Sequence, residues 1–155
     1  MNLVEIRQDG SLSAPAGPLP EVAGPVVEST VRLYSRSGWI PPWIGYLGFE
    51  GLECVGTCAF TGPPREGVVE IAYFTFPGHE GRGVATRMAK GLLSIAGSFA
   101  PEVSVTAHTL PQEGASTRIL RKTGFTFTGP ATHPQDGLIW VWRHGGGGGG
   151  TGGRK

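Results

Sequence analysis

The sequence predicts a mixed α/β (α+β) domain: a central, twisted and mostly antiparallel sheet flanked by helices. Three observations carry this. The patterned segments run in the order helix, three strands, helix, strand, helix, two strands. Three β-prone runs crowd between Trp43 and Phe76, separated only by short breaker-rich turns, as in an antiparallel meander. A helical stretch then separates the third strand from the fourth, the kind of connection that a parallel crossover needs.

Taken in order, the first 48 residues hold a Pro/Gly-rich stretch, Ala14 to Pro20, and then a helix. Gly24-Pro25 puts proline at the first helical position, where its missing N–H costs nothing. Val26, Val27, Thr30, Val31 and Leu33-Tyr34 form a rough helical stripe before Gly38 ends it. Trp43 to Phe49 and Cys54 to Phe60 read as successive strands, and Gly62 to Gly67 as a loop. Val68 to Phe76 is the third strand, stopped by Pro77-Gly78. A helix from about Gly83 to Ser94 places Val84, Met88, Leu92 and Ile95 on one stripe. Glu102 to Ala107 is a strand, and Glu113 to Lys122 a helix with Gly124 at its C′ position. Phe125 to Thr128 and Leu138 to Trp142 close the chain, with Asp136-Gly137 as a turn after a long connection. Residues 1–144 thus read as one domain, and the glycine-rich residues 145–155 as a disordered tail.

The 155 residues suit one domain with a real core, and the 39% apolar content suits a globular chain. No apolar run approaches the roughly 20 residues that span a bilayer, and the N-terminus shows no secretory signal, so the expected compartment is cytoplasmic. A net charge of +1 gives no footprint for nucleic acid. Cys54 and Cys58 sit four apart on a strand, roughly 13 Å between Cα atoms, beyond disulfide reach. They are expected on one face as buried thiols. His79, His108, His133 and His144 are scattered without ligand spacing, so no metal is expected.

The strongest local feature is His79-Glu80-Gly81-Arg82-Gly83-Val84-Ala85-Thr86, between a strand and a helix. A helix N-terminus exposes unpaired N–H groups and the positive end of the dipole, which together bind phosphate. Gly81 and Gly83 let the backbone approach an anion, Ala85 and Thr86 are small, and Arg82 adds a charge. A tight turn that uses its glycines for geometry alone has the same pattern. A dinucleotide-binding Rossmann turn is disfavoured, because the third glycine is missing and the preceding strands are meander-like.

Tyr73-Phe74-Thr75-Phe76-Pro77 followed by Gly81 to Thr86 resembles the cofactor motif of the GCN5-related N-acetyltransferase (GNAT) superfamily. Ala107-His108-Thr109-Leu110-Pro111, then Ala115-Ser116-Thr117-Arg118-Ile119-Leu120-Arg121-Lys122-Thr123-Gly124-Phe125, resembles its branch of ribosomal-protein N-terminal acetyltransferases. Asp136-Gly137 with Trp140 and Trp142 is similar to that branch's closing strand. The likeness covers about residues 42–144, leaving residues 1–41 as the acceptor side. Two positions depart from it: Glu80, where Gln or Arg is usual, and Glu113, where Asn is usual.

The resemblance implies transfer of an acetyl group from acetyl-CoA to a primary amine, either a protein N-terminus or a small molecule. It implies that Phe74, Thr75, Phe76, Gly81, Arg82, Gly83, Val84, Ala85 and Thr86 hold the cofactor, with backbone N–H groups near Phe74 to Phe76 steadying the thioester oxygen. An attacking amine must be neutral, so a base is required, and Glu70 on the third strand is the candidate. Ser116 is the candidate proton donor to the departing thiolate, with Tyr73 behind it. The bland alternatives are an exposed strand carboxylate for Glu70 and a helix-capping hydroxyl for Ser116. Trp39, Trp43, Tyr46 and Phe49 are expected to be mostly packing. The resemblance also allows a homodimer through an edge strand or the last hairpin. A non-catalytic acyl-CoA-binding module is the alternative to an enzyme, favoured by Glu80 and Glu113.

Overall fold

The computed structural model describes residues 1–14 and 17–145, so the expected glycine-rich tail lies outside the described residues apart from Gly145. The elements are β1 (Asn2–Glu5), α1 (Ala23–Ser37), β2 (Gly45–Glu50), β3 (Glu53–Phe60), β4 (Val68–Thr75) and α2 (Val84–Phe99). They continue with β5 (Ser104–Thr109), α3 (Ala115–Lys122), β6 (Thr126–His133) and β7 (Gly137–His144).

One seven-stranded sheet has the order β1-β2-β3-β4-β5-β7-β6. Every neighbouring pair is antiparallel except β4 and β5, which are parallel and joined through α2. The expected fold class is therefore the observed one.

The chain opens with a strand and not, as expected, with a helix. Asn2 to Glu5 is too short to show a period, and its pairing with β2, from Asn2↔Phe49 to Glu5↔Tyr46, makes it a strand. α1 begins at Ala23, so Pro25 is its third residue; this is still within the first turn, where an N–H has no intrahelical partner. α2 runs on to Phe99, stopping at Ala100 just ahead of Pro101, whose ring disfavours helix in the residue before it. β6 reaches His133, leaving only Pro134, Gln135 and Asp136 to reach β7, so the long connection shrinks to a hairpin turn. Pro130 is tolerated inside β6 because that strand forms the sheet edge.

Cys54 and Cys58 are both buried and free, but they do not share a face. The β2–β3 register slips between Gly48↔Gly56 and Phe49↔Cys54, inserting one extra residue in β3. Cys54 thereby opposes Phe49 and Cys58 opposes Tyr46, three apart on β2, which places the thiols on opposite faces. Burial pushes the Cys58 thiol up to about 12.

α2 covers one face of the sheet with Val84, Met88, Ala89, Leu92 and Ala96. Trp43, Tyr46 and Phe49 lie in the core, and Trp39 packs partly buried against it. No helix among the described residues is long and apolar enough to cross a membrane. Met88 fits because β2 and β3 present Gly48 and Gly56 beneath it. A Cβ at Gly56 would lie 2.8 Å from the Phe74 carbonyl oxygen and 2.9 Å from Met88 Cε. The carbonyl belongs to a paired strand and cannot move aside. Gly56→Ala is expected to destabilise the fold by about 1–3 kcal/mol, read from the urea midpoint at unchanged slope.

Candidate functional site

β4 and β5 pair only at Val68↔Ser104, Val69↔Val105 and Glu70↔Thr106, and then part. Beyond Glu70, β4 stays bonded to β3, up to Gly56↔Thr75. The direction of its free groups follows from three bonds. Thr61 N–H donates to the Glu70 carbonyl (2.9 Å), Phe76 N–H donates to the Val55 carbonyl (2.9 Å), and Ser104 N–H donates to the Gly67 carbonyl (2.8 Å). Even-numbered residues of β4 thus turn their backbone groups to β3, and odd-numbered ones turn them toward β5. In the open wedge these are Tyr73 and Thr75. Of the backbone groups near Phe74 to Phe76, those of Tyr73 and Thr75 face the open wedge. Phe76 has its side chain in the core and its N–H bonded to β3.

The wedge opens into a cavity of about 550 Å³. Its floor is Tyr73, Phe74 and Thr75; its far wall is Gly81, Gly83, Val84, Ala85 and Thr86. Gly81 and Gly83 take φ of +76° and +78°, in the left-handed region that glycine occupies without strain. The first bond of α2 runs from Arg87 N–H to the Gly83 carbonyl, and no side chain caps the helix. The N–H groups of Val84, Ala85 and Thr86 are left without helical partners at the cavity wall. This is an anion cradle, at the positive end of a 16-residue helix.

Arg82 does not line the cavity. Its guanidinium donates to the Gly78 carbonyl (3.2 Å) and to His79 Nδ1 instead, bracing the turn. Glu80 does line it, but Oε1 accepts the Gly78 N–H (2.8 Å), and these backbone bonds hold its carboxyl below the usual range.

α3 forms the other wall through Ala115, Ser116, Arg118, Ile119 and Lys122, the positions of one helical face. Arg118 and Lys122 add positive charge that the glycine turn alone did not suggest; their spacing from Ser116 is the signal that points to them. Ser116 faces the cavity, while Thr117 ties the start of the helix: its hydroxyl accepts the Gly114 N–H (3.0 Å) and lies 3.0 Å from Glu113 Oε1. Glu113 also accepts two bonds from Arg121, at 2.6 and 2.9 Å. Arg121 lies over the Trp142 ring, 5.0 Å from its centroid. Glu113 thus orders its loop by gripping α3.

Glu70 lies at the last paired position before the wedge, on the sheet face toward α1. It lines a second cavity with Arg36, Arg65 and Thr106, apart from the cavity in the wedge. Farther along β4 a third, apolar cavity of about 380 Å³ lies between α1 and the sheet, lined by Pro25, Val26, Thr30, Ala59, Ala72 and Phe74. Tyr73 and Phe74 border both this cavity and the one in the wedge, so the two meet across β4. Burial pushes the Tyr73 hydroxyl up to about 12, which keeps it a donor.

The histidines are not all scattered. His108 Nδ1–H donates to Glu70 Oε2 (2.6 Å), and its Nε2 lies 3.2 Å from Asp136 Oδ2. His133 lies beside it, ring centroids 5.0 Å apart. Separations of 28 and 38 residues hid this cluster from spacing arguments.

Residues 26–126 match the family model described as Acetyltransferase (GNAT) domain. The chain belongs to the GNAT acetyltransferase family. No curated protein matches it. Among solved structures it is similar to a Salmonella typhimurium acetyltransferase that modifies the N-terminal serine of a 50S ribosomal subunit protein. There the identity is 17%, the coverage 80% of this chain and 73% of that one, and the TM-score 0.62. It is similar also to an aminoglycoside acetyltransferase in complex with coenzyme A and kanamycin, at 20% identity, 65% coverage of each chain and TM-score 0.58. This chain thus spans less than two thirds of that enzyme's length. A Vibrio cholerae spermidine N-acetyltransferase matches at 12% identity, over 76% of this chain and 74% of that one, with TM-score 0.61. At these identities the likeness is one of fold.

The grip of Arg121 and Thr117 holds the Glu113 carboxyl at about 2, down from 4.5. A depressed pKa stabilises above the unfolded value and loses that contribution as pH falls through the folded one. The thermal midpoint of Glu113→Gln should therefore trail wild type above about pH 4.5, with the gap closing toward pH 2 and narrowing in high salt.

Proposed function

We propose that this GNAT domain transfers an acetyl group from acetyl-CoA to a primary amine by direct attack. The observation that carries the reading is the wedge: unpaired strand groups on one side, unpaired helix amides on the other, and a carboxylate where the strands part. The amides of Val84, Ala85 and Thr86, with Gly81 and Gly83, hold the pyrophosphate, and Arg118 and Lys122 add charge. Tyr73 and Thr75 pair with the pantetheine arm as a missing strand would, while Phe74 contributes its side chain to the floor.

Chemistry then divides by side. Glu70 takes a proton from the acceptor ammonium, directly or through one water. The freed lone pair attacks the thioester carbon, and the Tyr73 N–H meets the charge that develops on oxygen. The carbon–sulfur bond breaks as Ser116 gives the thiolate its proton. The second proton, lost by the acylated nitrogen, returns through solvent to Ser116, leaving a neutral amide and a free thiol. The acceptor side is residues 1–41 with the apolar cavity under α1, which suits an amine carrying an apolar group beside the nitrogen. Acceptors are a protein N-terminus or a small amine. The two departures from the family pattern support turnover over silent binding, since Glu80 and Glu113 each have partners within the chain that leave the α2 amides free.

Acetyl-CoA should raise the thermal midpoint, equivalent to about 2.7 kcal/mol at a hundredfold excess over the dissociation constant. Gly83→Trp should abolish the shift. Glu70→Gln should keep it while losing about 100-fold in thiol release with the best of a seryl peptide, phenethylamine, spermidine and kanamycin. An unshifted wild-type midpoint overturns the proposal.

A further inference from the structure

His108 occupies an unusual place. It lies two residues past Thr106, the last β5 residue paired to β4, so its side chain spans the wedge as it begins to open. On its other side β5 is paired to β7, His108↔Val141, so the backbone that carries the ring is fixed. The ring joins two carboxylates from distant parts of the chain: Glu70 on β4 at 2.6 Å and Asp136 in the β6–β7 turn at 3.2 Å. Ionised carboxylates only accept hydrogen bonds, and a neutral imidazole has one N–H to give. Only the imidazolium serves both at once.

The turn that carries Asp136 is itself held. His133 Nδ1 accepts the N–H groups of Gln135 and Asp136, both at 3.1 Å. The His133 lone pair is thereby committed. This argues against a metal, although donor atoms of His108, His133 and Asp136 lie within 4.8 Å of one another. The result is a chain of contacts from the edge hairpin inward: His133 to the turn backbone, Asp136 to His108, His108 to Glu70.

We propose that His108 and Asp136 are positioning residues for Glu70. The imidazolium holds Oε2, which leaves Oε1 to face the acceptor amine, and Asp136 holds the imidazolium in register. The proton taken from the amine stays on Glu70 until solvent removes it, so no proton passes through the histidine. This rests on the reading of Glu70 as the base. The hairpin becomes part of the acceptor side, because moving its turn releases the ring and lets the carboxylate swing.

The other charged groups near the pair are few. Arg36 from α1 and Arg65 from the β3–β4 loop line the cavity beside Glu70, and His133 from β6 faces the ring. Arg143 on β7 is turned away to Ser104 Oγ (2.9 Å).

The test is kcat and KM for wild type, Glu70→Gln, His108→Ala, His108→Gln, Asp136→Asn and the double variant Glu70→Gln/His108→Ala. The substrates are acetyl-CoA and the best amine of the panel above. His108→Ala should lower kcat at least about tenfold with KM for acetyl-CoA unchanged, as expected of a misplaced reacting group. His108→Gln, whose amide N–H donates at any pH, should restore most of it. Asp136→Asn should fall between them. In the double variant, loss of His108 should cost nothing beyond Glu70→Gln alone.

Nitrogen NMR of the ring gives a readout free of turnover: Glu70→Gln should move the Nδ1 signal of His108, and Asp136→Asn its Nε2 signal. Wild-type kcat in His108→Ala, a further loss in the double variant, or ring nitrogen signals unmoved by Asp136→Asn overturns the positioning role and leaves Glu70 standing as base. Wild-type kcat in Glu70→Gln removes both readings.

Discussion

The shortness of one parallel pairing governs this molecule. β4 and β5 share three residue pairs and then separate, although both strands continue. Backbone groups that a sheet would normally consume are left facing each other across a gap. Such a gap is stable only if something polar can fill it, whether water or an extended ligand arm. α2 follows directly from the open end of β4, so its free amides end up at the same place. The parting of the strands and the start of the helix are one device seen from two sides.

The walls of that gap need bracing, because a split sheet has lost some of its own. α2 is braced by packing: Met88 and Leu92 are fully buried against strands whose glycines allow close approach. α3 is braced by charge. Glu113 grips Arg121, Arg121 covers Trp142, and the Trp142 Nε1–H donates to Thr109 Oγ1 at 3.1 Å, tying the helix to β7 and β5. The Glu113–Arg121 pair lies at the surface, so salt weakens that brace while the packing brace is untouched.

Much of the cavity lining in the wedge was legible because its signals are local. Gly81 and Gly83 must adopt left-handed backbone, and a glycine pair ahead of an amphipathic stripe announces that in eight residues. Ser116, Arg118, Ile119 and Lys122 share one face of a short helix, again a local pattern. What was not legible is of three kinds. β1 was missed because four residues carry no period; its partner strand makes it a strand. The burial of Phe76 was not legible because β-register decides which amides are free, and register depends on β3, including the bulge that also separates Cys54 from Cys58. The Glu70–His108–Asp136 cluster was invisible because it is made by topology alone, across two strands and a turn.

The central claim is that the amides opening α2 and the odd-numbered residues of β4 bind the cofactor. The most direct measurement is a ¹⁵N–¹H correlation spectrum of the labelled chain titrated with coenzyme A. The account predicts the largest shifts at the amides of Gly83, Val84, Ala85 and Thr86 and at Tyr73 and Thr75. Phe74 and Phe76 should move less, because their N–H groups are bonded to β3. Shifts confined to other parts of the chain, or equal along β4 without regard to odd and even positions, would contradict it.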